Sequence, residues 1–151
     1  MRVEPYSIDS FVHAIKRGAR GLHITRDKAD QYRFIRLLYY MNDKFTVEYW
    51  ERETESLGLF GRPNNWPERK PIVSVVAWTL MPNHFHLLLK ETQDGGIAKF
   101  MQKLCGSMSM NFNAKYEERG SIFQGAYRGR NVGEDRYLTD LHPTPVQYGM
   151  L

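Results

Sequence analysis

The chain has 151 residues, a hydrophobic share of 42%, a charged share of 25% and a formal net charge of +4. That composition fits one globular domain and excludes a disordered chain. No apolar run approaches the ~20 residues of a membrane span, the opening MRVEPYSIDS has no apolar signal core, and a lone Cys105 excludes an internal disulfide or a multi-cysteine zinc site. A cytoplasmic protein is expected, folded as a single domain over 1–151. The sequence pI of about 9.2 permits a polyanionic partner without demanding one. Arg17, Arg20 and Arg26 gather near one predicted strand end, and Arg119, Arg128 and Arg130 surround a glycine-rich aromatic stretch.

SFVHAIK at 10–16 alternates well enough for a first strand, and RGARG at 17–21 breaks it. Asp27 is placed to cap a helix over 28–42, with Tyr32, Ile35, Leu38 and Tyr39 as its core stripe and Arg33 and Arg36 elsewhere. Residues 43–70, with FGRPNNWPERK, read as a long surface loop holding one short helical turn. PIVSVVAWTL at 71–80 is β-branched and apolar, which predicts a buried strand. Met81-Pro82-Asn83 turns the chain into a strand over 84–90, so the two form a hairpin.

Asp94-Gly95-Gly96 opens a long helix over 97–118, lined by Ile97, Phe100, Met101, Leu104, Met108 and Phe112. Gly106 and Asn111 weaken it and predict a kink near 106–111, and Gly120 closes it. SIFQGAYRGRNV at 121–132 reads as a fourth strand, and Glu134-Asp135 opens a short helix to 141 that the prolines at 143 and 145 end. The order β-α-β-β-α-β is the split-βαβ, ferredoxin-like α+β pattern, with helices on one face of an antiparallel sheet. About 142–151 form an atypical tail.

The stretch MPNHFHLLLK at 81–90 raises the chemical question. Strand alternation puts His84, His86, Leu88 and Lys90 on one face and Phe85, Leu87 and Leu89 on the other. The apolar face packs on the helices, which leaves the histidines on the far side of the sheet. Two imidazoles there can hold one divalent ion if a third group approaches. Spacing alone leaves two readings: partly exposed histidines with satisfied hydrogen bonds, or ligands of an open Mg²⁺ or Mn²⁺ site completed by water and a phosphate.

MPNHFHLLLK closely resembles the signature of the single-tyrosine HUH transposases, the insertion-sequence-200 type and the REP-associated tyrosine transposases. HAIKRGARGLHITRD resembles that family's first strand and the basic segment after it. FMQKL, NFNAKYEERGSIFQGAYRGR and EDRYLTDL resemble its long helix, the following strand and the start of its C-terminal helix. The resemblance runs over about residues 8–141, with several motifs in order.

The resemblance implies a ferredoxin-like fold, single-stranded DNA hairpins as partners and an active site completed in a homodimer. It implies that His84 and His86 hold a divalent metal, Mg²⁺ or Mn²⁺, that polarises a scissile phosphate. It implies a tyrosine on the C-terminal helix that attacks phosphorus, displaces the 3′-oxygen and forms a 5′-phosphotyrosine. Laid over YLTDLHPTPVQYGML, the family pattern puts that tyrosine at Asp140, Thr144 or Pro145. Three assignments follow. Tyr137 is the nucleophile after a local shift, with Asp140 one turn on as a further metal ligand; or Tyr148 serves from a non-helical tail; or the nucleophile is lost and a DNA binder remains.

Arg17 and Arg20, beside glycines, are candidates for forked phosphate contacts. Tyr116, Phe123 and Tyr127, with Arg128 and Arg130, read either as base-stacking and phosphate-holding groups or as core aromatics beside a solvated strand end. His13 and His23 read as structural, and Cys105 as core.

Overall fold

The computed structural model describes residues 6–132 and the backbone of Tyr148–Gly149. Its elements are β1 (Phe11–Arg17), a 3-10 turn (Ala19–Gly21), α1 (Lys28–Tyr40), a short α2 (Trp50–Thr54), β2 (Ser74–Met81), β3 (His84–Lys90), α3 (Gly96–Tyr116), β4 (Arg128–Val132) and β5 (Tyr148–Gly149). The strands form one antiparallel sheet in the order β4-β1-β3-β2-β5. The first four strands have the ferredoxin-like order expected, and the two-residue β5 adds an edge beside β2. The predicted helix over 134–141 lies outside the described residues. Among the described residues no helix is long and apolar enough to cross a membrane.

Alternation along the strands builds the core. Val12 and Ala14 of β1 and Phe85, Leu87 and Leu89 of β3 are fully buried on one face. Phe34 and Leu37 of α1 and Ile97, Phe100 and Leu104 of α3 join them in one apolar cluster. Each such side chain contributes about 1.5–3 kcal/mol relative to exposure, so this layer dominates the stability of the fold. β3 is central, and Pro82-Asn83 turns β2 into it with Met81 opposite His84.

Polar groups lock the two long helices together. Asp27 caps α1 by accepting the Asp30 N–H at 2.8 Å. Lys115, at the end of α3, donates to Asp27 and to Asp30, both at 2.8 Å. The Tyr116 hydroxyl donates to the other Asp30 oxygen at 2.5 Å. The hydrogen bond from Lys115 lowers the Asp27 pKa, and the same contact is the first cause of a raised Lys115 pKa.

Four sequence expectations are corrected. The core stripe of α1 is Phe34, Leu37 and Leu38, whereas Tyr32 is 48% exposed and Arg36 is buried. The reason is the 43–70 segment, which covers the outer side of α1. Arg36 donates to the Thr54 hydroxyl and to the Leu59 carbonyl, beneath the Trp50 and Tyr40 rings. The helix α3 runs unbroken through Gly106, without the expected kink. Its end is set by Glu117, in the left-handed conformation at φ 55°, rather than by Gly120. Last, the fourth strand covers only 128–132. Residues 121–127 cross the end of β1 instead, with the Gln124 N–H on the Arg17 carbonyl at 2.8 Å and a single bridge between Gly18 and Phe123.

Candidate functional site

The face of the sheet away from α1 and α3 carries the groups with chemical potential. Register places them. Arg17 is opposite His84, Ile15 is opposite His86, and His13 is opposite Leu88 across β1 and β3. On the other side of β1, Arg130 is opposite His13 and Arg128 is opposite Ile15. Residues directly opposite in an antiparallel pair share a face. Three histidines and three arginines therefore share one side of three adjacent strands.

The histidines form a chain of contacts. The His84 and His86 ring centroids are 5.0 Å apart at 69°, and those of His86 and His13 are 5.1 Å apart at 23°. His84 Nδ1 donates to Asn83 Oδ1 at 2.8 Å. His86 Nδ1 shares a hydrogen bond with His13 Nε2 at 2.9 Å. Both β3 histidines thus spend Nδ1 on protein partners and keep Nε2 for something else. A ring centroid lies roughly 3 Å from an ion its nitrogen binds, so centroids 5.0 Å apart leave room for one ion shared between the two rings.

Electrostatics keeps the rings neutral, which is the state a metal needs. Burial, then the neighbouring His13, His84 and Arg17, lower the His86 pKa to about 4. Burial and Arg17 lower that of His84, and burial and Arg130 lower that of His13. The donor set fits a divalent ion as far as two ligands go. Among the described residues, no group of three or more His, Cys, Asp or Glu side chains is arranged to hold a metal. The expected further ligand Asp140 and the expected nucleophile Tyr137 both lie outside the described residues. Tyr148 lies on β5, where its backbone pairs with Thr79, which in turn pairs with His86.

The basic residues divide by position. Arg17, Arg128 and Arg130 are exposed on the histidine side. Arg20 is exposed in the 3-10 turn at φ 53°, held by a tight bend in which Gly18 lies against the Leu22 carbonyl. A groove of about 420 Å³ beside it is lined by Arg20, Arg119 and Phe112. Tyr127 is half-buried and packs against the core. Phe123 is buried in that core, with Lys16 over its ring, and Tyr116 is held by Asp30. These two take the core reading rather than the stacking one. Cys105 also packs against the core, and burial raises its pKa to about 12. His13 is the site residue that sequence reasoning set aside. Its alternation with Val12 and Ala14 marks its face, but only the register of β1 against β3 brings it to His86.

Residues 68–141 match the family described as Transposase IS200 like. No curated protein matches the chain. Two solved structures are similar to the chain at low identity. One is a REP-associated tyrosine transposase bound to a REP hairpin, at 12% identity and TM-score 0.47, over 93% of this chain and 66% of that one. The other is a candidate transposase from Deinococcus radiodurans R1, at 17% identity and TM-score 0.46, over 95% of this chain and 100% of that one. The chain thus spans about two thirds of the length of the first. Over residues 68–141, which include β2, β3, α3 and the histidine pair, the chain is similar to the IS200-like transposase family.

Proposed function

We propose that the protein binds single-stranded DNA hairpins as a homodimer and cleaves and rejoins them with the help of a divalent ion. The observation that carries the reading is the paired state of His84 and His86. Both rings have lowered pKa values, both have Nδ1 bonded to protein, and among the described residues neither Nε2 is taken by a hydrogen bond beside exposed Arg17. The His86 ring suits a metal ion far better than it suits general acid work, because its pKa of about 4 leaves no proton to give at neutral pH.

In this reading His84 and His86 hold Mg²⁺ or Mn²⁺, with Asp140 as a further ligand. The ion, when bound, supplies Lewis-acid polarisation of the scissile phosphate. Arg17, Arg20, Arg128 and Arg130 bind backbone phosphates, and arginine's planar fork gives two bonds to one phosphate. Half-buried Tyr127, next to Arg128 in the chain, is the aromatic assigned to the DNA path. The Tyr137 hydroxyl attacks phosphorus, an Oη–P bond forms, the P–O3′ bond breaks, and the phenolic proton passes to the departing 3′-oxygen. The product is a 5′-phosphotyrosine that the freed 3′-hydroxyl reverses, so joining needs no external energy source.

A second reading is favoured by one feature of the sequence. YLTDLHPTPVQYGML has no tyrosine at the position the family pattern assigns. The protein is then a hairpin-binding module that keeps the sheet and its basic face without the nucleophile.

Incubation with 5′- and 3′-labelled hairpins and Mn²⁺, followed by a denaturing protein gel, separates the two. A covalent adduct that disappears in Tyr137→Phe and survives in Tyr148→Phe supports the first reading. Loss in Tyr148→Phe alone moves the nucleophile to the tail. Hairpin binding without any adduct supports the second reading, and absence of binding to any single strand sinks both.

A further inference from the structure

His13 stands on β1, outside the motif that names the site, and the family match over 68–141 does not reach it. Yet its ring meets that of His86 edge to edge, with centroids 5.1 Å apart and planes 23° apart, and its Nε2 is 2.9 Å from His86 Nδ1. One hydrogen occupies that bond, and it has two polarities. If His13 donates, neutral His86 carries its own proton on Nε2 and has no lone pair there. If His86 donates, its Nε2 lone pair is free to bind a metal. The two arrangements differ only in which ring nitrogens hold the protons.

We infer that His13 is a positioning residue for His86, accepting the His86 Nδ1–H so that His86 presents Nε2 as a metal ligand. The inference rests on the proposed metal site and adds to it a partner from a different strand. The same logic already operates at His84, where Asn83 Oδ1 can only accept and so fixes Nδ1 as the protonated nitrogen. A ligating histidine whose second nitrogen donates to a fixed acceptor is oriented, held in one tautomer and made more basic. Asn83 does this from the adjacent residue in the hairpin turn. His13 does it across the strand pair, through a hydrogen bond that lies close to the planes of both rings.

The difference between the partners has a consequence. Asn83 supplies an acceptor in every state. His13 supplies one only as the tautomer with Nε2 unprotonated, so metal binding at His86 selects the tautomer of His13 as well. A cationic His13 would have Nε2–H and could no longer accept.

The test uses the full chain and Mn²⁺ alone, with affinity read by electron paramagnetic resonance. His13→Phe keeps an aromatic ring and deletes the acceptor. His13→Gln deletes the ring and can place an amide oxygen near the lost Nε2. The expected result is one Mn²⁺ site in the wild type that is lost in His86→Ala. It is weakened about 10–100-fold in His13→Phe and largely restored in His13→Gln. Melting curves show whether each variant is folded. A second readout is the ¹⁵N NMR signal of His86 in the Zn²⁺-loaded wild type, where Nδ1 is expected to carry the proton and Nε2 the metal.

Wild-type affinity in His13→Phe would overturn the positioning role while leaving the metal reading intact. Equal weakening in His13→Phe and His13→Gln, or an His86 Nδ1 without its proton in the loaded protein, would also overturn it. A wild-type chain that binds neither ion defeats the metal reading first, and His13 with it.

Discussion

Arg17 and His84 are directly opposite one another in the β1–β3 pairing, so the last residue of one strand and the first of the next share a face. That relationship puts a guanidinium beside a candidate metal ligand, where its charge adds to burial in lowering the His84 pKa. A phosphate bridging the two would meet an ion on one side and a fork of N–H donors on the other. Arg17→Ala is expected to weaken binding of a single-stranded hairpin and to flatten its salt dependence by roughly 0.7 per lost phosphate contact in a plot of log K against log salt. Fluorescence anisotropy over a salt series measures both. An unchanged slope with unchanged affinity would remove Arg17 from the DNA path.

Arg20 separates stability from binding. It holds a left-handed backbone conformation at φ 53°, which costs a non-glycine residue about 1–2 kcal/mol. Glycine relieves that cost and adds some unfolded-chain entropy, so Arg20→Gly should melt at or above the wild-type temperature. The same variant should bind hairpin DNA more weakly, because the guanidinium is gone. A drop in melting temperature would show that the Arg20 side chain stabilises the turn rather than serving a ligand.

The histidine cluster predicts how stability responds to pH. His13, His84 and His86 all have pKa values below the ordinary 6.5, with His86 at about 4. In the unfolded chain the same rings take up protons near pH 6.5. Between about 6.5 and about 4 the unfolded state therefore binds more protons than the folded one, and stability falls as pH falls. Above pH 6.5 this contribution is fully retained. Melting temperature should decline from pH 7 to pH 4.5, and His86→Gln should reduce the decline. A pH-independent melting curve across that window, in both proteins, would contradict the picture of rings buried in the neutral state.

Phe85 tests the support beneath the site. It lies between His84 and His86 and points the opposite way, fully buried, with its ring 5.2 Å from Phe34 and 6.0 Å from Phe123. Phe85→Ala should cost about 3–5 kcal/mol in a denaturant titration, from lost apolar contact and the cavity left behind. Met110→Ala, on a side chain 76% exposed, should change stability by less than about 0.5 kcal/mol. Similar values for the two would mean that β3 is not seated as described.

Local pattern made the histidine strand legible. HFHLLLK alternates from His84 to Leu87, and its buried face follows from that period, although Leu88 on the histidine side is buried as well. The stripe of α3 was readable for the same reason. The face of α1 was not, because the 43–70 segment buries Arg36 through a hydrogen bond to Thr54, a partner 18 residues away. The segment SIFQGAY has the composition of a strand, yet its backbone crosses the end of β1, where the Lys16 ammonium takes the Gly125 carbonyl. His13 was missed because its meaning lies in register with a strand more than 70 residues on. Tyr137 and Asp140 remain sequence assignments.

The central claim is that an ion held by His84 and His86 is used to cut single-stranded DNA. The most direct measurement is scission of a 5′-labelled hairpin by the full chain as Mn²⁺ is titrated, with His86→Ala run in parallel. The account predicts metal-dependent scission by the wild type and none by the variant, while hairpin binding by the variant is retained. Scission that persists in His86→Ala, or a wild type that binds the hairpin and never cuts it at any Mn²⁺ concentration, would contradict it.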